Sequence, residues 1–167
     1  MEIEELKSTD EHLEELSDLL IQVVEEGASI GFLPPVERAE AICYWRHAVQ
    51  SDVMLFVAKI DGQIAGSIQL QLCSKQNGNH RAEIAKLMTD PAYRRKGVGR
   101  ALMQRAEARA KQEGRTLIVL DTRESDPSND LYRSIGYQQA GRIPGYAKSS
   151  SGDLQATVIY YKNLLEV

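Results

Sequence analysis

The period of hydrophobic and polar positions changes several times along the chain, and each change marks an element. Ile3 and Leu6 sit in a short first strand. Ser8 and Glu11 have capping-box spacing, and Leu13, Leu16, Leu20 and Val24 then recur at helical spacing until Gly27. Ile30-Gly-Phe-Leu33 is an apolar loop that stops at Pro34-Pro35, where a second helix begins and carries Val36, Ala39, Cys43 and Trp45 toward Val49. Val53 to Ile60 is apolar enough for a buried strand. Asp61-Gly62 predicts a two-residue hairpin. The return strand alternates, with Ile64, Gly66, Ile68, Leu70 and Leu72 facing one way and Ser67, Gln69 and Gln71 the other.

After a polar turn at Lys75–Asn79, His80 to Thr89 reads as a strand. Alternation places Ala82, Ile84 and Lys86 on one face and Glu83, Ala85 and Leu87 on the other. Val98, Leu102, Ala106 and Ala110 step by four along a helix that Glu113-Gly114 ends. Thr116 to Leu120 follows as a β-branched strand, so two parallel neighbours joined by a right-handed crossover are expected. Asp126-Pro127-Ser128 opens a further helix through Ile135, and Gly136 closes it. Tyr137 to Arg142 and Ala156 to Lys162 read as final strands around a loop from Ile143 to Leu154. The order β-α-α-β-β-β-α-β-α-β-β predicts an α/β (α+β) architecture with a mixed sheet and helices on both faces.

A length of 167 residues suits one domain, 1–167, able to bury roughly two-thirds of its unfolded surface without staples. The net charge of −4 argues against a general nucleic-acid binder. Cys43 and Cys73 read as reduced thiols, and neither adjoins a histidine in a nucleophilic pairing. The start Met-Glu-Ile-Glu-Glu lacks the basic region of a signal peptide, and no apolar run approaches ~18 residues. A cytoplasmic location with no membrane partner is expected. His12, His47 and His80 are scattered without metal-ligand spacing, so no metal is expected.

The chemistry concentrates between Leu87 and Met103. An apolar strand runs into Asp90-Pro91, then come Arg94, Arg95 and Lys96, then Gly97 and Gly99, Arg100 and a helix. An uncapped helix start with cations and glycines beside it suits a phosphate or pyrophosphate. A basic surface loop at a glycine helix start would have the same composition. A dinucleotide turn is the main rival, because Asp121 ends the next strand about 20 residues on. Leu102 stands where its third small residue should be, and Asp90 to Lys96 separate the glycines from the strand. A nucleotide-triphosphate loop would need Gly-Lys-Ser/Thr, which is absent.

Lys86-Leu-Met-Thr-Asp-Pro-Ala-Tyr-Arg-Arg-Lys-Gly-Val-Gly-Arg-Ala-Leu102 resembles the acetyl-CoA-binding motif of the GNAT superfamily of N-acetyltransferases. Leu131-Tyr132-Arg-Ser-Ile-Gly136-Tyr137 resembles that superfamily's second motif, in the same order and spacing. The resemblance implies a mostly antiparallel sheet of six to seven strands, a central splayed parallel pair and four helices. It implies acetyl-CoA as cofactor, held by the backbone of Leu87, Met88 and Thr89 and by Arg94, Arg95, Lys96, Gly97, Val98, Gly99 and Arg100. Tyr132 would protonate the leaving thiolate. Many members carry an Asn seven residues before that Tyr; here the position is Ser125, and Asn129 is the nearest substitute for holding the pantetheine arm. Glu83 and Asp121 are candidate bases for the incoming amine, or else an edge carboxylate and a turn residue. Phe32, Tyr44 and Tyr146 are candidate acceptor contacts, with Trp45 read as core. The implied acceptor is a primary amine of a small molecule; a CoA-binding sensor module or a protein N-acetyltransferase are the alternatives. A homodimer is compatible with paired sheets. Leu120-Asp-Thr122, Gly141-Arg-Ile-Pro-Gly-Tyr146 and Ala156-Thr-Val-Ile-Tyr-Tyr-Lys162 further resemble the tabtoxin-resistance branch, whose named member acetylates a β-lactam-containing toxin.

Overall fold

Asp61 and Gly62 both take positive φ, 52° and 78°, the pair that matches the right-handed twist of flanking strands. They join β2 (Val53–Ile60) to β3 (Gln63–Leu72) in a tight hairpin. The computed structural model describes residues 1–165. Its other strands are β1 (Glu2–Leu6), β4 (Arg81–Thr89), β5 (Leu117–Arg123), β6 (Gln138–Lys148) and β7 (Leu154–Asn163). Four α-helices accompany them: α1 (Leu13–Glu25), α2 (Arg38–Arg46), α3 (Val98–Gln112) and α4 (Ser128–Ser134). The sheet order is β1-β2-β3-β4-β5-β7-β6, and only β4 and β5 run parallel. This is the predicted mixed α/β architecture. Among the described residues, no helix is long and apolar enough to cross a membrane.

The period-two pattern of β2 divides the core. Leu55 and Val57 pack with Leu16, Leu20, Val24 and Trp45 under α1 and α2. Phe56 and Ala58 pack with Leu102 and Ala106 of α3 and with Tyr132 of α4 on the opposite face. With nine residues, α2 is too short to hold itself. Its anchor is Trp45, which is fully buried; truncating such a side chain costs about 3–5 kcal/mol. The small-residue face of α3 lets it lie close to β3 at Gly66. A Cβ there would stand 2.6 Å from the Met88 carbonyl oxygen and 2.8 Å from Val98 Cγ1.

Several local expectations are corrected. The capping box does not form: Asp10 N–H donates to Ser8 Oγ at 3.2 Å, residues Asp10–His12 make a 3₁₀ turn, and α1 starts at Leu13. Thr9 is buried and donates to the Trp45 carbonyl at 2.8 Å. The second helix starts at Arg38, because Glu37 is extended and Val36 is turned into the core. The loop expected over 143–154 is mostly strand. β6 and β7 form a long hairpin, closed where Ser149 N–H donates to the Asp153 carbonyl at 2.8 Å. Residues 144–146 are taken up as a bulge between the pairs Ile143↔Thr157 and Ala147↔Gln155. An edge strand tolerates Pro144 at such a bulge, since no neighbour needs its N–H.

Two further bulges overturn the predicted side-chain alternation. Ala58 pairs with Gly66 while Lys59 pairs with Ile64, so Ala65 is an extra residue. Ile64 therefore joins the α1 face, and Ile68 and Leu70 join the α3 face. In β4, Ala85 pairs with Gln69 and Met88 with Ser67, which inserts one residue. Lys86 absorbs it with φ of 55°. Leu87 consequently packs with Ala82 and Ile84 toward α3, and Met88 turns toward α1. Glu83 does not share a face with Leu87, as alternation had implied.

Candidate active site

β4 and β5 pair only from Arg81↔Leu117 to Glu83↔Val119. Beyond that point β4 stays on β3 as far as Thr89, and β5 stays on β7 as far as Arg123. The gap is a wedge whose inner backbone N–H and C=O groups have no strand partner, so an extended ligand with amides of its own can satisfy them. Leu87 and Met88 turn their side chains into the two cores and leave only backbone to the wedge.

The basic turn lies at the wide end of the wedge. Asp90 holds its start: its N–H donates to the Ala65 carbonyl at 2.8 Å, and Oδ1 accepts from Ala92 N–H at 2.9 Å. Arg95 and Gly97 are left-handed, with φ of 64° and 80°. Gly97 opens α3 with no side-chain cap, and a Cβ there would meet nothing within 4 Å. The first N–H groups of α3 are therefore open to an anion. Gly99 answers to a different constraint, since a Cβ there would stand 3.1 Å from Leu131 Cδ2 of α4. Arg94 Nη1 reaches Glu26 at 3.0 Å, Arg100 Nη2 donates to Ser134 Oγ at 2.9 Å, and Lys96 Nζ lies 5.4 Å from the Tyr93 ring centre.

α4 supplies two buried polar side chains. Tyr132 packs against Tyr137 and Tyr160, with centroids 6.0 and 5.8 Å away. Burial raises the pKa of its phenol far above the ordinary value; a hydrogen bond with Ser128 acts against this, and the charges of Asp126 and Asp121 add to it. The group stays protonated at working pH. Asn129 lies four-hundredths exposed and fully engaged inside the protein. Nδ2 donates to the carbonyls of Arg123, Glu124 and Asp126, and Oδ1 accepts from Tyr160 Oη at 2.7 Å. Its side chain holds the β5–α4 turn, a structural role the sequence reading did not assign to it.

On the α1 side of the wedge, Glu83, Asp121 and Tyr146 line one hollow of about 160 Å³ with Ile143, Thr157 and Ile159. Lost hydration and then the Asp121 charge raise the pKa of Glu83 above the usual carboxylate value, while Lys86 opposes them. Asp121 Oδ2 accepts from Thr157 Oγ1 at 3.1 Å. Burial lowers the pKa of the Lys86 ammonium, against the pull of Asp121 and Glu83. A second hollow of about 260 Å³ lies between residues 27–34 and 147–150. Phe32 lines it. Tyr44 stands behind Phe32, 5.3 Å from its ring centre, with its hydroxyl accepting from Gln69 Nε2 at 2.6 Å. Trp45 belongs to the core, as expected.

Alternation missed Lys86 because only the bulge turns it toward this side. Arg123, Lys148 and Thr157 carried no local signal, being polar residues near strand ends. The wedge and the uncapped start of α3 together suit a ligand that joins a chain of amides to a pyrophosphate, which is the construction of coenzyme A.

Comparison with known proteins agrees. The model of the acetyltransferase (GNAT) family matches residues 13–137. An uncharacterized N-acetyltransferase from the hisH-hisA intergenic region of Azospirillum brasilense is 32% identical over 126 residues, 74% of each chain. An N-acetyltransferase structure from Staphylococcus aureus Mu50 superposes with a TM-score of 0.83 at 17% identity, covering 98% of this chain and 99% of that one. yncA from Salmonella typhimurium, solved with its cofactor acetyl-CoA, superposes with a TM-score of 0.81 at 16% identity, covering 100% and 96%. The chain thus belongs to the GNAT family and is an acetyl-CoA-dependent acetyltransferase.

Proposed function

We propose that the chain transfers an acetyl group to the primary amine of a small molecule, by direct attack with both substrates bound. One observation carries this reading. Two carboxylates, Glu83 and Asp121, lie on the α1 side of the wedge, and a protonated phenol, Tyr132, comes from the α3–α4 side. Acid and base thus approach one gap from opposite faces of the sheet.

When bound, acetyl-CoA supplies an acetyl thioester activated toward nitrogen. The N–H groups of Arg95 to Arg100 would hold its pyrophosphate, with Arg94, Lys96 and Arg100 adding charge. The backbone of Leu87, Met88 and Thr89 would line the arm, and an N–H there would polarise the thioester carbonyl. Glu83, the carboxylate with the raised pKa, takes the proton of the amine directly or through a water. Tyr132 would hold a proton for the thiolate that leaves the acetyl donor. Phe32 and Tyr146 bound the acceptor, and Tyr44 fixes Phe32. The three segments that resemble the tabtoxin-resistance branch contribute Asp121, Ile143, Tyr146, Thr157 and Ile159 to the smaller hollow, which supports a small acceptor.

The test is titration calorimetry with acetyl-CoA, followed by thiol release over a panel of primary amines. Binding with thiol release on at least one small amine is expected. Absence of binding at millimolar acetyl-CoA would overturn the reading. Binding without release on any amine would make the chain a CoA-responsive module instead.

A further inference from the structure

The two hollows on the α1 side differ in charge. The smaller one is walled by Glu83 and Asp121. The larger one has no carboxylate in its wall and carries Arg123 and Lys148. Lys86 joins them: its Nζ lies 3.2 Å from the position a Cβ on Gly31 would take, and Gly31 lines the larger hollow. The guanidinium of Arg123 is already spent, because Nε and Nη2 both reach Asp126 Oδ1, at 2.8 and 2.5 Å. Lys86 and Lys148 are in none of the ion pairs among the described residues.

The half-buried ammonium of Lys86 makes no direct ion pair and feels Asp121 and Glu83 only across a longer distance, whereas burial removes hydration that a direct pair normally replaces. Lys86 is half-buried through the left-handed bulge, at a position where a strand in register would have sent it into the α3 core. The cofactor does not account for it. Its phosphates have their own cations at Arg94 to Arg100, and none of these lines either hollow. A chain with a net charge of −4 thus sets Lys148 in the wall of the larger hollow and Lys86 beside its Gly31 edge, next to a hollow with two carboxylates.

We infer that the acceptor is an amine that also carries an acid group, a carboxylate or phosphonate a few bonds from the nitrogen, with the amine over Glu83 and Asp121 and the acid group in the larger hollow between Lys86 and Lys148. Ser150 and the backbone around Gly31 add hydrogen-bonding groups to that wall. The apolar part of the wall, Val24, Phe32 and Leu33, covers the carbon skeleton. The inference rests on the acetyltransferase reading and narrows its substrate to amino-acid-like small molecules.

The site is tested first without the cofactor. Thermal shift and calorimetry compare L-methionine with L-methioninamide, and 2-aminoethylphosphonate with ethanolamine. The acids are expected to bind at least about tenfold more tightly than their neutral partners, a preference of the size that one charge-assisted contact provides. In turnover, the ratio of kcat/KM for acid over neutral partner is expected to follow the same order. It should collapse toward one in Lys86→Met and recover in Lys86→Arg, with Lys148→Met giving a smaller fall. Acetyl-CoA calorimetry confirms that each variant is folded. Equal binding of the acid and its neutral partner, or a ratio unmoved by Lys86→Met, would overturn the inference. A hexapeptide with a free N-terminus and an acidic second residue that outperforms both acids would overturn the small-molecule source. The acetyltransferase reading fails on a separate observation, the absence of acetyl-CoA binding.

Discussion

Arg94 Nη1 lies 3.0 Å from Glu26 Oε2, tying the end of α1 to the turn that opens α3. Each side chain is about half exposed, at 50% and 49%, so the bridge contributes little to stability. Its consequence is competition, since Arg94 cannot give its full charge to a pyrophosphate while Glu26 holds it. Glu26→Gln is expected to tighten acetyl-CoA binding by about two- to fivefold, and Arg94→Ala to weaken it by about tenfold, both effects shrinking in high salt. Calorimetry at two salt concentrations measures this. Unchanged affinity in both variants would detach the bridge from the cofactor site.

Tyr132→Phe removes one oxygen and keeps the ring packed against Tyr137 and Tyr160. Turnover is expected to fall by about 10²-fold, the usual contribution of a positioned acid, with acetyl-CoA affinity within about twofold of wild type. Because the pKa of the phenol lies far above its ordinary value, no alkaline limb below the ordinary tyrosine range should come from it. Steady-state kinetics together with cofactor titration decide the point; full turnover in the variant would return Tyr132 to a packing role.

The pH dependence follows from Glu83. As a base it works only when ionised, so the acid limb of kcat/KM should lie above the ordinary glutamate value of about 4.3. Part of the shift comes from Asp121, so Asp121→Asn should move that limb to lower pH. The same shift bears on stability. The folded pKa exceeds the unfolded one, so the ionised carboxylate costs stability above the folded pKa and nothing below the unfolded pKa. Glu83→Gln should therefore raise Tm at pH 8 and leave it unchanged at pH 3. A limb that stays put in Asp121→Asn would remove the coupling between the two carboxylates.

Asn129→Ala should act on stability. It leaves three carbonyls and the Tyr160 hydroxyl without their donor or acceptor in a buried site. A loss of about 3 kcal/mol is expected, or about 6–12 °C in Tm for a chain of this size. Thermal unfolding measures it, and a Tm within a degree or two of wild type would show that the β5–α4 turn is held by something else.

Much of the fold was legible because its signals are local. Asp61-Gly62 needs positive φ at both residues, and Gly97 needs it at the start of α3; short-range sterics impose both whatever the surroundings. Trp45 read as core and is core. The misreadings of side-chain facing in β3 and β4 have one cause. A period-two strand pattern presumes that no residue is inserted, and Ala65 and Lys86 are insertions made visible only by the partner strand. The anchoring role of Asn129 was hidden for a related reason, since its three carbonyl acceptors and Tyr160 converge only when the β5–α4 turn closes.

By itself the sequence determined the donor side of this protein: the wedge-edge strand, the Asp90-Pro91 turn, the cations and the open start of α3 are consecutive, and each follows from backbone propensities over a few residues. Only the tertiary structure decided the acceptor side. Glu83 and Lys86 come from β4, Asp121 from β5, Lys148 from β6 and Gly31 from a loop, and together they share no local pattern. Their meeting depends on one bulge in β4 and one parting of paired strands, both set by long-range hydrogen bonding that no window along the chain contains.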